Sequence, residues 1–119
     1  MTEKDYSPII KGADIGSGWQ PLLLPILQRI NELNEGNYDI KITTIKEKWG
    51  RLYVYVDGGP EDLFDLILEM EEKSAHICQD CGAPAETVLS THGWYYTLCA
   101  KCLAIRGIKV VKPSGDGNS

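Results

Sequence analysis

The sequence predicts an α+β fold: two helices packed on a small antiparallel β-hairpin or sheet, followed by a small module that contains all four cysteines. Three observations support this class. Apolar residues recur at helical spacing in two segments, 22–33 and 61–72. Alternating apolar residues between these segments predict a β-hairpin. The cysteines form two C-x2-C pairs near the C-terminus.

We therefore assign residues 1–77 to an α+β core and residues 78–112 to the cysteine module with a short C-terminal segment. Residues 113–119 are expected to be a disordered tail, because they are rich in glycine and polar residues. Residues 1–15 show no period and are interpreted as a flexible, extended arm.

The first predicted helix follows Ser17 and Gln20, which have the spacing of a capping box. Pro21 and Pro25 leave its first residue open. Gly36 suits a C-terminal cap. Its apolar residues lie on one arc, which predicts one buried face: Leu22, Leu23, Ile26, Leu27, Ile30 and Leu33.

The predicted hairpin consists of strands at 38–48 and 51–57, joined at Trp49 and Gly50. The apolar residues change face near Thr43, which indicates a β-bulge. Two glycines and a proline then end the second strand and begin the second helix.

The second helix carries acids on the arc opposite its apolar face. Residues 59–77 contain six acids and one lysine, so most of the net charge of −5 lies there. Leu68 falls on the acidic side, which a simple amphipathic helix does not explain. The adjacent Glu71 and Glu72 are interpreted as a solvated helix face.

The cysteine module has the pattern C-x2-C, seventeen residues, C-x2-C, formed by Cys78, Cys81, Cys99 and Cys102. Two residues between thiolates let both reach one ion, and strands at 87–90 and 94–98 would return the second pair to the first. Four thiolates close a tetrahedron, so we predict one structural zinc ion in a ribbon-like module. Ligand type alone leaves iron open, and a redox dithiol is the weaker alternative.

The same sequence indicates no catalytic centre. No nucleophile–base motif surrounds its serines, and its glycines form no phosphate-binding loop. His76 and His92 are possible additional ligands, but the ends of a helix and a hairpin explain them more simply. We therefore expect a protein that is not an enzyme.

Two surfaces are candidates for binding. A row of carboxylates beside an apolar residue is a composition found at protein interfaces. The protein-docking hypothesis therefore rests on Glu61, Asp62, Asp65, Leu68, Glu69 and Glu72. The alternative is a nucleic-acid surface, in which aromatics stack on bases and cations contact phosphates. It rests on Lys46, Lys48, Trp49, Arg51, Tyr53 and Tyr55. The acidic composition disfavours general nucleic-acid binding.

Four blocks in this order resemble a group of small uncharacterised zinc-binding proteins of phages and prophage-bearing bacteria. The blocks are GW at 18–19, IKEKWGRLYVY at 45–55, CQDCG at 78–82 and GWYYTLC at 93–99. The last ligand is often histidine in that group, whereas this chain has Cys102. The resemblance implies a small accessory protein in a bacterial cytoplasm and brings no established activity with it. Taken together with the acidic charge, it leads us to hypothesise an inhibitor or modulator of a host defence or nucleic-acid enzyme.

Composition agrees with a cytoplasmic location. No apolar run approaches the roughly 18 residues that a membrane helix needs, and residues 1–6 do not resemble a secretory signal. Thiols stay reduced in the cytoplasm, where paired cysteines indicate metal binding more often than disulfides. We expect a protein partner and no membrane association.

Overall fold

The computed structural model describes residues 7–111 and confirms the α+β class. The N-terminal part contains α1 (Ser7–Gly12), a 3₁₀ turn (Ser17–Trp19), α2 (Gln20–Glu35), β1 (Ile42–Lys48), β2 (Arg51–Val56) and α3 (Glu61–Ser74). The C-terminal part contains β3 (Glu86–Leu89), β4 (Tyr95–Leu98) and α4 (Ala100–Arg106). Each strand pair forms its own antiparallel sheet. The predicted tail at 113–119 lies outside the described residues.

Residues 7–12 form a helix, although the sequence predicts an extended arm over 1–15. The helix has six residues, too few for an apolar period to be visible. It forms because Ile10 packs against the main apolar cluster, so a tertiary contact decides its conformation. Residues 1–6 of the predicted arm lie outside the described residues.

The main core lies between the two long helices and the first hairpin. α2 is one continuous helix that includes Pro25. It buries the apolar face predicted from the sequence, and Leu33 is partly buried at the edge of that face. α3 contributes Leu63, Ile67 and Met70, and β2 contributes Leu52 and Val54. Within residues 7–111, no helix is long and apolar enough to cross a membrane.

The first hairpin has the predicted connection and irregularity. Its register shifts between Ile42 and Thr44, as expected for a bulge. Lys48 pairs with Arg51, so the loop has two residues, Trp49 and Gly50, at φ 59° and 75°. Positive φ at both positions matches the twist of a type I′ hairpin turn.

The outer edge of β2 is covered by polar side chains of α3. The Val54 N–H donates to Glu71 Oε2 at 2.9 Å, and the Leu52 N–H donates to Ser74 Oγ at 2.9 Å. Glu71 is 7% exposed, so its assignment to a solvated helix face is wrong. Its carboxylate satisfies a backbone donor that would otherwise be buried without a partner.

Candidate metal centre

The first cysteine pair lies on a tight turn, residues 78–82, which we call the knuckle. The Cys78 N–H donates to the Ala83 carbonyl at 2.7 Å, and the Gly82 N–H donates to the Cys78 carbonyl at 2.9 Å. Gly82 has φ 85°, a conformation that side chains with a Cβ disfavour. These bonds bring the thiols of Cys78 and Cys81 to the same side of the turn.

The second pair of cysteines lies at the start of the helix α4. A zinc ribbon would have a second turn at this position. Cys99 is the N-cap residue and Cys102 lies in the first helical turn. Residues three apart share a helix face, so both sulfurs point the same way. The hairpin of β3 and β4 returns them to the knuckle through its Glu86–Leu98 register. The seven residues of α4 are too few to show a helical period in the sequence.

The four sulfur atoms form one cluster, which we call the cysteine cluster: Cys78, Cys81, Cys99 and Cys102. All lie within 4.8 Å of one another. The Sγ atoms of Cys81 and Cys99 are 3.7 Å apart, which is far beyond a disulfide bond of about 2.05 Å. A zinc tetrahedron with Zn–S bonds of about 2.3 Å has sulfur–sulfur edges of about 3.8 Å. The cluster therefore has the ligands and the size to hold one tetrahedral metal ion.

The electrostatics of the cluster also favour a cation. Burial would raise the pKa of Cys78, but the backbone N–H groups of Cys81, Cys99 and Asp80 donate to its sulfur and lower the pKa to about 6. Burial raises the pKa of Cys102, and the neighbouring sulfurs raise it further. Once Cys78 is ionised, loss of a proton from a second cysteine of the cluster is therefore unfavourable, unless a bound cation offsets the repulsion between the thiolates.

The turn before α2 packs directly on the knuckle. The Gly18 N–H donates to the Gln79 carbonyl at 2.9 Å, and Ser17 Oγ donates to the Asp80 carbonyl at 2.9 Å. Trp19 is fully buried, and its Nε1–H contacts the Ser74 and Ile77 carbonyls at 3.1 and 2.8 Å. Ser17 therefore binds the knuckle, and the capping-box interpretation is wrong.

The knuckle also contacts β4 and α4. Gln79 exchanges bonds with Thr97, through its own N–H at 2.8 Å and its Oε1 at 3.0 Å. Asp80 accepts two bonds from Arg106, at 2.7 Å from Nε and 2.6 Å from Nη2. This bidentate pair holds α4, and so the second cysteine pair, against the knuckle.

Substituting Arg106→Ala is expected to weaken zinc binding about tenfold, because loss of groups that orient metal ligands costs roughly 10- to 100-fold. The lower figure applies because Asp80 and Arg106 are 28% and 39% exposed. Competition with a chromophoric chelator measures the change. Arg29→Ala is the control, since it removes a charged pair between α2 and α3. Equal affinities in both variants would contradict this orienting role.

Neither histidine joins the cysteine cluster among the described residues. His76 Nδ1 lies 3.4 Å from Glu86 Oε1, and His92 Nε2 lies 3.4 Å from the Tyr96 hydroxyl. Both imidazoles therefore have ordinary polar neighbours, as their positions at element ends suggested.

The residues of the two predicted binding surfaces lie apart from the cluster. The carboxylates assigned to protein docking are exposed on α3, and so is Leu68. The cations and aromatics assigned to nucleic-acid binding lie on the first hairpin.

Sequence reasoning missed the roles of Ser17, Asp80 and Arg106. Ser17 bonds to Asp80, which is 63 positions away, and Arg106 pairs with Asp80 across 26 positions. The only signal in the sequence was the close spacing of Gly16 and Gly18, because glycines let the backbone of this turn approach that of another segment closely.

Comparison of the chain with protein-family models, curated proteins and solved structures found no match. The function is therefore inferred from the residues themselves.

Proposed function

We propose that this protein is a non-enzymatic, zinc-stabilised binding protein that docks on a basic surface of another protein through α3. Four cysteines supply every position of a tetrahedral zinc ion, which leaves none for a water molecule or a substrate. The ion would then order the module around it and perform no chemistry.

The observation that carries the docking proposal is a pair of exposed apolar side chains on α3. Phe64 is 41% exposed and Leu68 is 58% exposed, one helical turn apart. Acids surround them, and together these residues form the docking face: Glu61, Asp62, Phe64, Asp65, Leu68, Glu69 and Glu72. An exposed apolar pair within a charged row fits an interface core with a polar rim.

The charges within the docking face are not equivalent. Asp62 pairs with Arg29 at 2.9 Å, Glu69 with Lys73 at 3.5 Å, and Glu72 with Arg51 at 3.8 Å. Glu61 and Asp65 have no ion-pair partner within residues 7–111, and both lie close to Phe64 in the sequence. The uncompensated charge is therefore concentrated in the first half of α3.

This charge favours a partner with lysines or arginines around an apolar pocket, because complementary potentials speed association and align the two surfaces. The resemblance to phage proteins makes the proposal concrete. The partner would be a host defence enzyme or a nucleic-acid enzyme, which the protein inhibits or modulates in the bacterial cytoplasm.

The double charge reversal Glu61→Lys with Asp65→Lys tests the docking face. Tagged, zinc-loaded protein is used to capture a partner from nuclease-treated bacterial lysate, and the partner is then purified and titrated. We expect the reversal to weaken its affinity at least tenfold, because like charges now oppose one another. Leu68→Asn should weaken it as well, by removing apolar contact.

The matched control is Glu35→Lys with Asp39→Lys, which reverses two exposed acids at the end of α2 and beyond it. It should bind like the wild type. Zinc content and circular dichroism verify that each variant is folded. Retained affinity in the α3 reversal, or equal losses in both reversals, would eliminate this face as the docking site.

A further inference from the structure

The register of the first hairpin gathers cations and aromatics on one face. Lys46 lies opposite Tyr53, and Lys48 lies opposite Arg51. Leu52 and Val54 alternate with these residues and are buried in the core. Because side chains alternate along a strand, the cations and tyrosines lie on the face directed away from that core. We call this face, with the turn residue Trp49, the hairpin platform: Lys46, Lys48, Trp49, Arg51, Tyr53 and Tyr55.

Two of the three aromatic rings of the platform lie parallel to one another. The rings of Tyr53 and Tyr55 are nearly parallel, with an interplanar angle of 9° and centroids 6.4 Å apart. Trp49 is 63% exposed at the tip. Tyr95 of β4 touches Trp49 edge-on at 6.0 Å and extends the aromatic surface onto the second hairpin.

The tip is fixed in position by the cysteine module. Thr97 Oγ1 donates to the Gly50 carbonyl, next to Trp49. A Cβ on Gly50 would lie 3.1 Å from backbone atoms of Tyr95 and Tyr96, so the two hairpins touch closely. Trp49 has φ 59°, where asparagine or glycine is favoured over a bulky side chain. Trp49 therefore places an exposed indole on a backbone conformation that a smaller residue adopts at lower energetic cost.

The platform is locally positive although the chain is acidic. Its six residues include three cations and no acid, and Glu72 Oε1 of α3 lies 3.8 Å from Arg51 Nη2. Two further acids lie beside it: Glu47 accepts the Gly50 N–H in the turn, and Asp14 forms a backbone bridge with Lys46. Arg51 Nε has no hydrogen-bond partner among the described residues. Lys46 and Lys48 are exposed and form no ion pair within residues 7–111. Cations interleaved with exposed rings favour a ligand that combines anions with aromatic groups.

We propose that the hairpin platform binds single-stranded nucleic acid. Unpaired bases can stack on tyrosine and tryptophan rings, whereas the paired bases of a duplex have their faces covered by one another. Lysine and arginine contact the phosphates at the same time and release counterions. The platform and the docking face meet at the Arg51–Glu72 ion pair. The substitutions that test each surface involve neither residue, so this proposal and docking through α3 can fail separately.

Fluorescence anisotropy with the full, zinc-loaded chain tests the proposal. The probe is a labelled single-stranded oligothymidylate, and the comparison is a duplex of the same length. We expect the single strand to bind more tightly. Its log affinity should fall with log salt at a slope of about −2, because three neutralised phosphates contribute about −0.7 each on single strands.

Two substitutions separate stacking from charge. Trp49→Asn keeps a residue that tolerates the left-handed turn, and it should weaken binding about tenfold by removing one stacked base. Lys48→Gln should make the salt slope less steep by about 0.7. The controls are Trp94→Asn and Lys101→Gln, which alter an aromatic that is 65% exposed on the second hairpin and an exposed lysine of α4.

Both controls should bind like the wild type. Absence of saturable binding at low salt would overturn the proposal, and so would equal affinity for single strand and duplex. Wild-type affinity in Trp49→Asn would also overturn it, because the exposed indole would then have no part in binding.

Discussion

Chelation of the metal at neutral pH is expected to unfold the cysteine module while α2, α3 and the first hairpin stay folded. The module has a small apolar cluster of its own, whose buried residues are Cys78, Leu98 and Cys102. Structural zinc contributes about 10–16 kcal/mol of apparent binding free energy in zinc-finger peptides at pH 7. A contribution of that size would exceed what so small an apolar cluster supplies, so we expect the module to unfold when the ion is removed.

Hydrogen exchange measured by mass spectrometry monitors this loss. Amides of 86–98 should lose protection on chelation and regain it when zinc is added back. Amides of α2 should remain protected, because the main core is built from other residues. Cys78→Ser should reproduce the chelated pattern in untreated protein. Retained protection at 86–98 after complete metal removal would show that the hairpin does not depend on the ion.

Gly18→Ala is expected to lower the free energy of unfolding by about 3 kcal/mol, near the upper end of typical overpacking costs. A Cβ at this position would lie 2.0 Å from the Cys78 carbonyl oxygen and 2.6 Å from the Gly82 nitrogen. Both neighbours are backbone atoms of the knuckle, so neither can rotate away. The substitution must push the turn before α2 away from the knuckle and stretch the Gly18–Gln79 hydrogen bond.

Chemical denaturation of the zinc-loaded protein measures this change, and Gly12→Ala is the matched control. A Cβ on Gly12 meets no atom within 4 Å, so its effect should stay within about 0.5 kcal/mol. If Gly18→Ala were as stable as Gly12→Ala, the close contact between the turn and the knuckle would be absent in solution.

Periodicity predicted the parts of the fold that depend on local pattern. The buried face of α2 and the bulged first hairpin follow directly from apolar spacing. The unusual position of Leu68 was also visible, and the structure explains it as an exposed residue of α3. The cysteine spacing identified the cluster because two short C-x2-C pairs can converge on one ion without knowledge of the remaining fold.

The features that sequence reasoning missed depend on contacts between distant segments. Glu71 resembles any acid of a charged helix until β2 is placed beside it. Ser17 has a capping pattern, yet the carbonyl that it binds is 63 positions away. α4 is a single short segment without a visible period, so no helix was predicted at the second cysteine pair.

The most direct test of a structural zinc site is the metal content of the protein as purified, measured by native mass spectrometry and elemental analysis. One zinc ion per chain is expected, with the four cysteine thiols unreactive toward a thiol reagent until the ion is removed. An iron-containing, coloured protein would contradict the assignment of zinc. A metal-free chain with four reactive thiols in its folded state would contradict a metal site altogether.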